Sequence, residues 1–237
     1  DHYTDGIKRL VSEGAVFTDA NLEHYPTVTA VGHATMLSGA TPSVSGIIGN
    51  DWFDRASGAT VTSVSDPTVT PVGSPTGTAA SPHRLLVSTI GDELKIASPH
   101  AKGSPDAPRA FGVSLKDRSA ILPPGRSADA AYWWDSKTGR FVTSTYYMAS
   151  APEWVQTFND RKPADTHAGQ AWTPLALPAL TLRQFPAEPG APLYDAVYGS
   201  PFGNDQVLAF SLALLQREQL GRRNATDLLS VSFSSND

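Results

Sequence analysis

Thr29 is the first residue whose type and setting suggest chemistry. It ends the run Pro26-Thr27-Val28-Thr29 and stands where a short helix over Ala30 to Ser38 should begin, with Gly39 and Pro42 as its stops. A threonine there has two uses. Its hydroxyl can cap free N–H groups of the first helical turn. The same N–H groups and the positive end of the helix dipole also favour an oxyanion and a bound phosphate, so the hydroxyl can serve as a nucleophile. That second use needs something to lower the hydroxyl pKa, and a metal ion is the obvious agent. On the residues alone both readings stand.

Lys116 and Arg118 are two positions apart, which puts them on one side of an extended chain at the end of a short buried strand, Phe111 to Leu115. A solvated strand end, with Asp117 between two cations, is the plainer reading of that trio. His33 lies one helical turn after Thr29 and invites a metal role; a core or supporting hydrogen bond is the plainer reading. The remaining histidines, His2, His24, His83, His100 and His167, show no metal-type spacing. Trp133, Trp134, Tyr146 and Tyr147 read either as a substrate lip or as core aromatics.

The elements that must position these groups alternate between helices and short apolar strands. Ile7, Leu10 and Val11 mark a helical face within Thr4 to Glu13, stopped by Gly14, and Ala15 to Leu22 reads as a strand-like run. Gly46-Ile47-Ile48-Gly49-Asn50 reads as a turn leaving the core, and a helix is expected around Ser88 to Ile96. Tyr132 to Met148 reads as a hairpin turning at Asp135 to Gly139, and Pro152 to Asn159 as a short helix. Residues 162–190 look irregular. Asn204 to Leu220 is the strongest helix pattern, with a Gly221 stop and a strand over Leu228 to Phe233 after it. The alternation implies an α/β fold with a mostly parallel central sheet flanked by helices. Surface excursions are expected near 57–82, where Ser, Thr, Gly and Pro dominate, and near 120–190.

Composition narrows the field. The 237 residues are 40% hydrophobic and 17% charged, the pattern of a globular protein with room for a sizeable core. A net charge of −5 without a basic stripe argues against a nucleic-acid-binding surface. No run is long enough to be a membrane span. The absence of cysteine excludes disulfides and thiolate metal sites. No signal peptide is present, and the opening Asp1-His2-Tyr3 suggests that processing or partial coverage removed what came before.

Longer motifs carry a resemblance. Pro26-Thr27-Val28-Thr29-Ala30-Val31-Gly32-His33-Ala34-Thr35, followed by Ser38-Gly39, Pro42 and Gly46-Ile47-Ile48-Gly49-Asn50-Asp51-Trp52, resembles the nucleophile region of the alkaline phosphatase superfamily. The branch is that of type I phosphodiesterases and nucleotide pyrophosphatases. The resemblance implies that Thr29 is the nucleophile and that Asn50, 50 − 29 = 21 positions on, contacts the phosphoryl oxygens. Gly112 to Leu122 is similar to the phosphate clamp of PafA-type monoesterases, which implies phosphate-binding roles for Lys116 and Arg118. Two cations suit the two non-bridging oxygens of a dianionic monoester better than the single charge of a diester.

Ser200 to Asn204 and Asp227 to Asp237 resemble the family's approach to its metal centre, with Asn236 where a threonine is expected. The resemblance implies two zinc ions. Thr29 would help hold one and Asp237 the other, the remaining ligands being absent from these residues, so the chain by itself is expected to complete neither site and to be inactive. Residues 1–237 would form the N-terminal part of one alkaline phosphatase-like catalytic domain. The implied activity is zinc-dependent hydrolysis of phosphate monoesters through a phosphothreonine, with small phosphorylated substrates and inorganic phosphate as partners. The alternatives are a diesterase or nucleotide pyrophosphatase on the same nucleophile, or an inactive chain that keeps the fold. A periplasmic or secreted location is expected.

Overall fold

Glycine and proline punctuation sets the first helices. The computed structural model describes residues 5–101 and 103–235. Helix α1 (Ile7–Glu13) buries none of its residues. The run Ala15 to Leu22 forms no strand, and Val16, Phe17 and Leu22 are exposed. Helix α2 (Thr29–Ser38) ends on Gly39, whose φ of 68° is a left-handed cap that costs glycine nothing. Pro42 then opens α3 (Pro42–Ser45) at a position where a missing N–H does no harm.

Strands β1 (Asp51–Asp54) and β2 (Ala59–Thr62) form an outlying hairpin. The stretch 57–82 also carries β3 (Pro71–Val72), an edge strand of the main sheet, and fully buried Val64 and Ala80. Its turn-rich composition therefore covers residues that belong to the core. A capping box between Thr89 and Asp92 starts α4 (Ile90–Ile96).

The central sheet has the order β3-β6-β5-β4-β9. Its strands are β4 (Ala110–Ser114), β5 (Ala130–Asp135), β6 (Arg140–Ser144) and β9 (Leu228–Ser232), with β3 at one edge. The neighbours β9, β4 and β5 run parallel, while β6 pairs antiparallel with both β5 and β3, so the sheet is mixed. Every residue of β4 and β5 is buried, the signature of strands covered on both faces.

Side chains alternate across the sheet accordingly. Tyr132, Trp134 and Phe141 enter one core with Phe210 and Leu214. Ala131, Trp133 and Val142 enter a second core with Ala30, Ala34, Ile121 and Leu122. The first core is covered by α6 (Glu153–Asp160), α7 (Ala191–Tyr198) and α8 (Pro201–Arg217), the second by α2 and α5 (Asp117–Ile121). The region 162–190 holds one 3-10 turn (Pro163–His167) and a two-residue ladder of β7 (Ala171–Trp172) with β8 (Arg183–Gln184).

Gly112 fixes the join between β4 and α5. A Cβ there would overlap the carbonyl of Ala120, so only glycine lets this helix lie directly on its own strand. That contact decides where the connection between strand and helix, Leu115 and Lys116, must go.

Candidate active site

The helix α2 begins at Thr29, and its hydroxyl does not cap it: Val28 is the cap residue and offers no side-chain bond. The cap comes from elsewhere. Asn50 Oδ1 accepts from the Ala30 N–H at 2.9 Å, which fastens the turn after α3 to the positive end of α2. Thr29 and Asn50 thus meet at one helix N-terminus. Thr29 is half-buried and lines a cleft of about 700 Å³ with Gly32, His33, Ser232 and Ser234. His24 lines the same cleft, its ring nitrogens buried without a hydrogen-bond partner.

Lys116 and Arg118 sit at the carboxyl end of β4, but not on one extended chain. Lys116 is extended (φ −94°, ψ 134°) and is the cap residue of α5, whereas Arg118 lies inside the helix, so the period-two argument for a shared side fails at that joint. Both cations are half-buried, and both lie close enough to His33 to act on it. Burial lowers the His33 pKa, the Thr29 carbonyl opposes that, and Lys116 and Arg118 lower it further. Burial, then the Arg118 charge, likewise lowers the Lys116 pKa. The two cations line a cleft of about 240 Å³ with Asp117, Trp133, Trp134 and Tyr198. The structure therefore gathers Thr29, Asn50 and His33 at the start of α2, whereas Lys116 and Arg118 line a separate cleft on α5, the helix that packs against α2.

A helix N-terminus carries positive potential, and a pair of cations does too; each is a setting that favours a phosphate anion. The expected aromatic lip forms only in part: Trp133 and Trp134 reach the clamp cleft from inside the cores, and Tyr146 is exposed away from it. Trp133 and Trp134 are 1% and 6% exposed and belong to the two cores. Burial also pushes the Tyr147 hydroxyl well above its usual pKa.

The metal expectation is tested only in part. Asp237 lies outside the described residues. Strand β9, which leads to it, lies beside β4 with Ser232 opposite Ser114, so its carboxyl end meets the start of the clamp. Among the described residues no three His, Cys, Asp or Glu side chains gather as metal ligands, so these residues alone do not fit a zinc ion.

Two serines escaped the sequence reading. Ser232 Oγ meets His33 Nε2 at 2.9 Å, and Ser114 Oγ donates to the Ser232 carbonyl at 2.9 Å. Their position at strand ends was the one local signal; their pairing joins residues 199 and 118 positions apart.

A profile of the family described as type I phosphodiesterase / nucleotide pyrophosphatase matches residues 1–237. A Myroides odoratus protein named calcium-transporting ATPase is 37% identical over 263 residues, covering 100% of this chain and 47% of its own length. Alkaline phosphatase PhoV of Synechococcus elongatus is 37% identical over 254 residues, covering 98% of this chain and 45% of its own. Among solved structures, wild type alkaline phosphatase PafA matches with a TM-score of 0.77 at 36% identity, over 89% of this chain and 44% of that one. A PafA variant substituted at one threonine, one asparagine, one lysine and one arginine matches with a TM-score of 0.77 at 34% identity and the same coverage. The chain spans about half the length of the curated relatives it matches.

Proposed function

Since the chain belongs to the type I phosphodiesterase / nucleotide pyrophosphatase family, we propose that the whole protein hydrolyses phosphate monoesters through a phosphothreonine on Thr29. One observation carries the reading: Asn50 caps the very helix that Thr29 begins, so a nucleophile and an amide donor share one N-terminus. The residue types substituted together in the PafA variant are those assigned here to Thr29, Asn50, Lys116 and Arg118, which supports treating the four as one site.

Thr29 Oγ1 attacks phosphorus in line with the leaving oxygen. The Oγ1–P bond forms as the P–O bond to the leaving group breaks; the hydroxyl proton passes to solvent and the leaving alkoxide takes a proton from water. Water then attacks the phosphothreonine, the Oγ1–P bond breaks, and inorganic phosphate departs. Asn50 Nδ2, Lys116 and Arg118 hold the equatorial oxygens, where charge builds in each transition state. Zinc, expected in part on Thr29 and Asp237, would when bound lower the pKa of a ligated hydroxyl or water and stabilise developing negative charge. A phosphatase of this kind would work in the periplasm or outside the cell on small phosphorylated substrates.

The family description supports a second reading, a diesterase on the same nucleophile. Turnover of an aryl phosphate and of the matching diester by the whole protein with zinc separates the two. A monoester preference that disappears in Thr29→Ala supports the proposal; a diester preference selects the second reading, and wild-type turnover by Thr29→Ala removes both.

A further inference from the structure

His33 joins the helix that carries Thr29 to the strand end from which the chain runs on towards Asp237. Its Nδ1 lies 2.8 Å from the Thr29 carbonyl oxygen. A carbonyl can only accept, so Nδ1 carries the proton. In the neutral ring Nε2 is then a bare acceptor, to which the Ser232 hydroxyl donates across 2.9 Å. The Ser232 carbonyl accepts in turn from Ser114 Oγ at 2.9 Å, and the Lys116 N–H donates to Ser114 Oγ at 3.3 Å. Hydrogen bonds, joined through the Ser232 residue itself, therefore link Thr29 at the start of α2 to the clamp at the end of β4.

We infer that His33 is a positioning residue: through Ser232 it sets the distance between the Thr29 nucleophile and the carboxyl ends of β4 and β9. The inference rests on the phosphatase reading. Phosphate affinity is carried by Asn50, Lys116 and Arg118, so loosening this link moves Thr29 relative to a phosphate that still binds. The effect belongs on kcat, with KM little changed.

The test uses the whole protein with zinc and an aryl phosphate. His33→Asn keeps a donor for the Thr29 carbonyl but is too short for Ser232; His33→Gln reaches Ser232 as an acceptor. Ser232→Ala removes the donor and Ser232→Thr keeps it. His33→Asn and Ser232→Ala should each lower kcat by about 10-fold to 100-fold, as losses of supporting partners do. The double variant should lose no more than the worse single one. His33→Gln and Ser232→Thr should each recover part of the rate. Long-range nitrogen–proton NMR should show protonated Nδ1 and bare Nε2 on His33, a readout independent of turnover. Additive losses, a change confined to KM, a wild-type rate in Ser232→Ala, or the opposite tautomer would overturn the inference. No turnover by the unsubstituted protein would instead remove the phosphatase reading and this inference with it.

Discussion

Asn50 has one duty in the fold and one in the proposed reaction, and substitution can separate them. Its Oδ1 caps α2, while its Nδ2 makes no hydrogen bond among the described residues and is left to donate to a ligand. Asn50→Ala should lose about 1 kcal/mol of stability with the cap and about 100-fold in turnover with the donor. Asn50→Asp keeps the acceptor and puts a negative charge where phosphate should sit, so its melting temperature should stay near wild type while turnover collapses. Parallel thermal melts and kcat/KM measurements check this; equal losses of stability in the two variants would show that Asn50 is not acting as a cap. Thr29 offers the reverse contrast. Its hydroxyl caps nothing, so Thr29→Ala should melt normally and lose most turnover, with Thr29→Ser retaining a substantial fraction. For the cations, Lys116→Ala and Arg118→Ala should each reduce monoester turnover about 10-fold more than diester turnover, because a dianion has more to lose. An equal loss on both substrates would remove the argument for monoesters.

At the scale of elements, the site depends on how tightly α5 lies on β4. Gly112→Ala forces a methyl group into the Ala120 carbonyl. It should cost about 3 kcal/mol, the upper end of what overpacking usually does, and the damage should appear as a lower urea midpoint together with lost turnover. Loops around the sheet are held by carboxylates instead. Burial raises the pKa of Asp135, but hydroxyls of Ser74, Thr76 and Thr138 and the Lys137 N–H outweigh it and hold that carboxyl below the ordinary range. Burial raises the pKa of Asp92 as well, and bonds from Ser127, Thr89 and Arg126 outweigh it there. A carboxylate whose folded pKa is depressed stabilises the fold above its unfolded value of about 3.9 and loses that contribution as pH falls through the folded value. The urea midpoint should therefore hold steady from neutral pH to about 5 and fall below about 4. Asp135→Asn should start lower at neutral pH and show a shallower acid decline; a decline as steep as wild type would show that Asp135 is not one of the groups responsible.

For the whole molecule, the decisive quantity is the number of metal ligands that come together. No group of three such side chains forms among the described residues, and tight zinc binding ordinarily takes three or four protein ligands. The 237-residue chain should thus bind zinc weakly enough for a mild chelator to strip it, and should not turn over an aryl phosphate. The whole protein should do so with zinc. Competition titrations and turnover assays on both check this, and parental rates from the 237-residue chain would show that the ligand assignment to Thr29 and Asp237 is wrong.

What could be read from the chain alone was local. Gly39 and Pro42 marked the end of α2, the buried run at Phe111 marked β4, and the aromatic arms around Asp135 to Gly139 marked the β5–β6 hairpin. These signals act through backbone preferences and side-chain periods over a few residues. Thr29, Asn50, Lys116 and Arg118 could be singled out as candidates because their motifs are contiguous. Their arrangement was not. That Asn50, rather than Thr29, caps α2, that α5 starts between Lys116 and Arg118, and that His33 reaches Ser232 are all set by contacts between segments far apart in sequence. The same holds for 57–82, polar in composition but tied to the sheet through β3, and for Ala15 to Leu22, apolar but unpaired. Burial and strand pairing are decided by which surfaces meet when the sheet assembles, and no window of the sequence contains both surfaces.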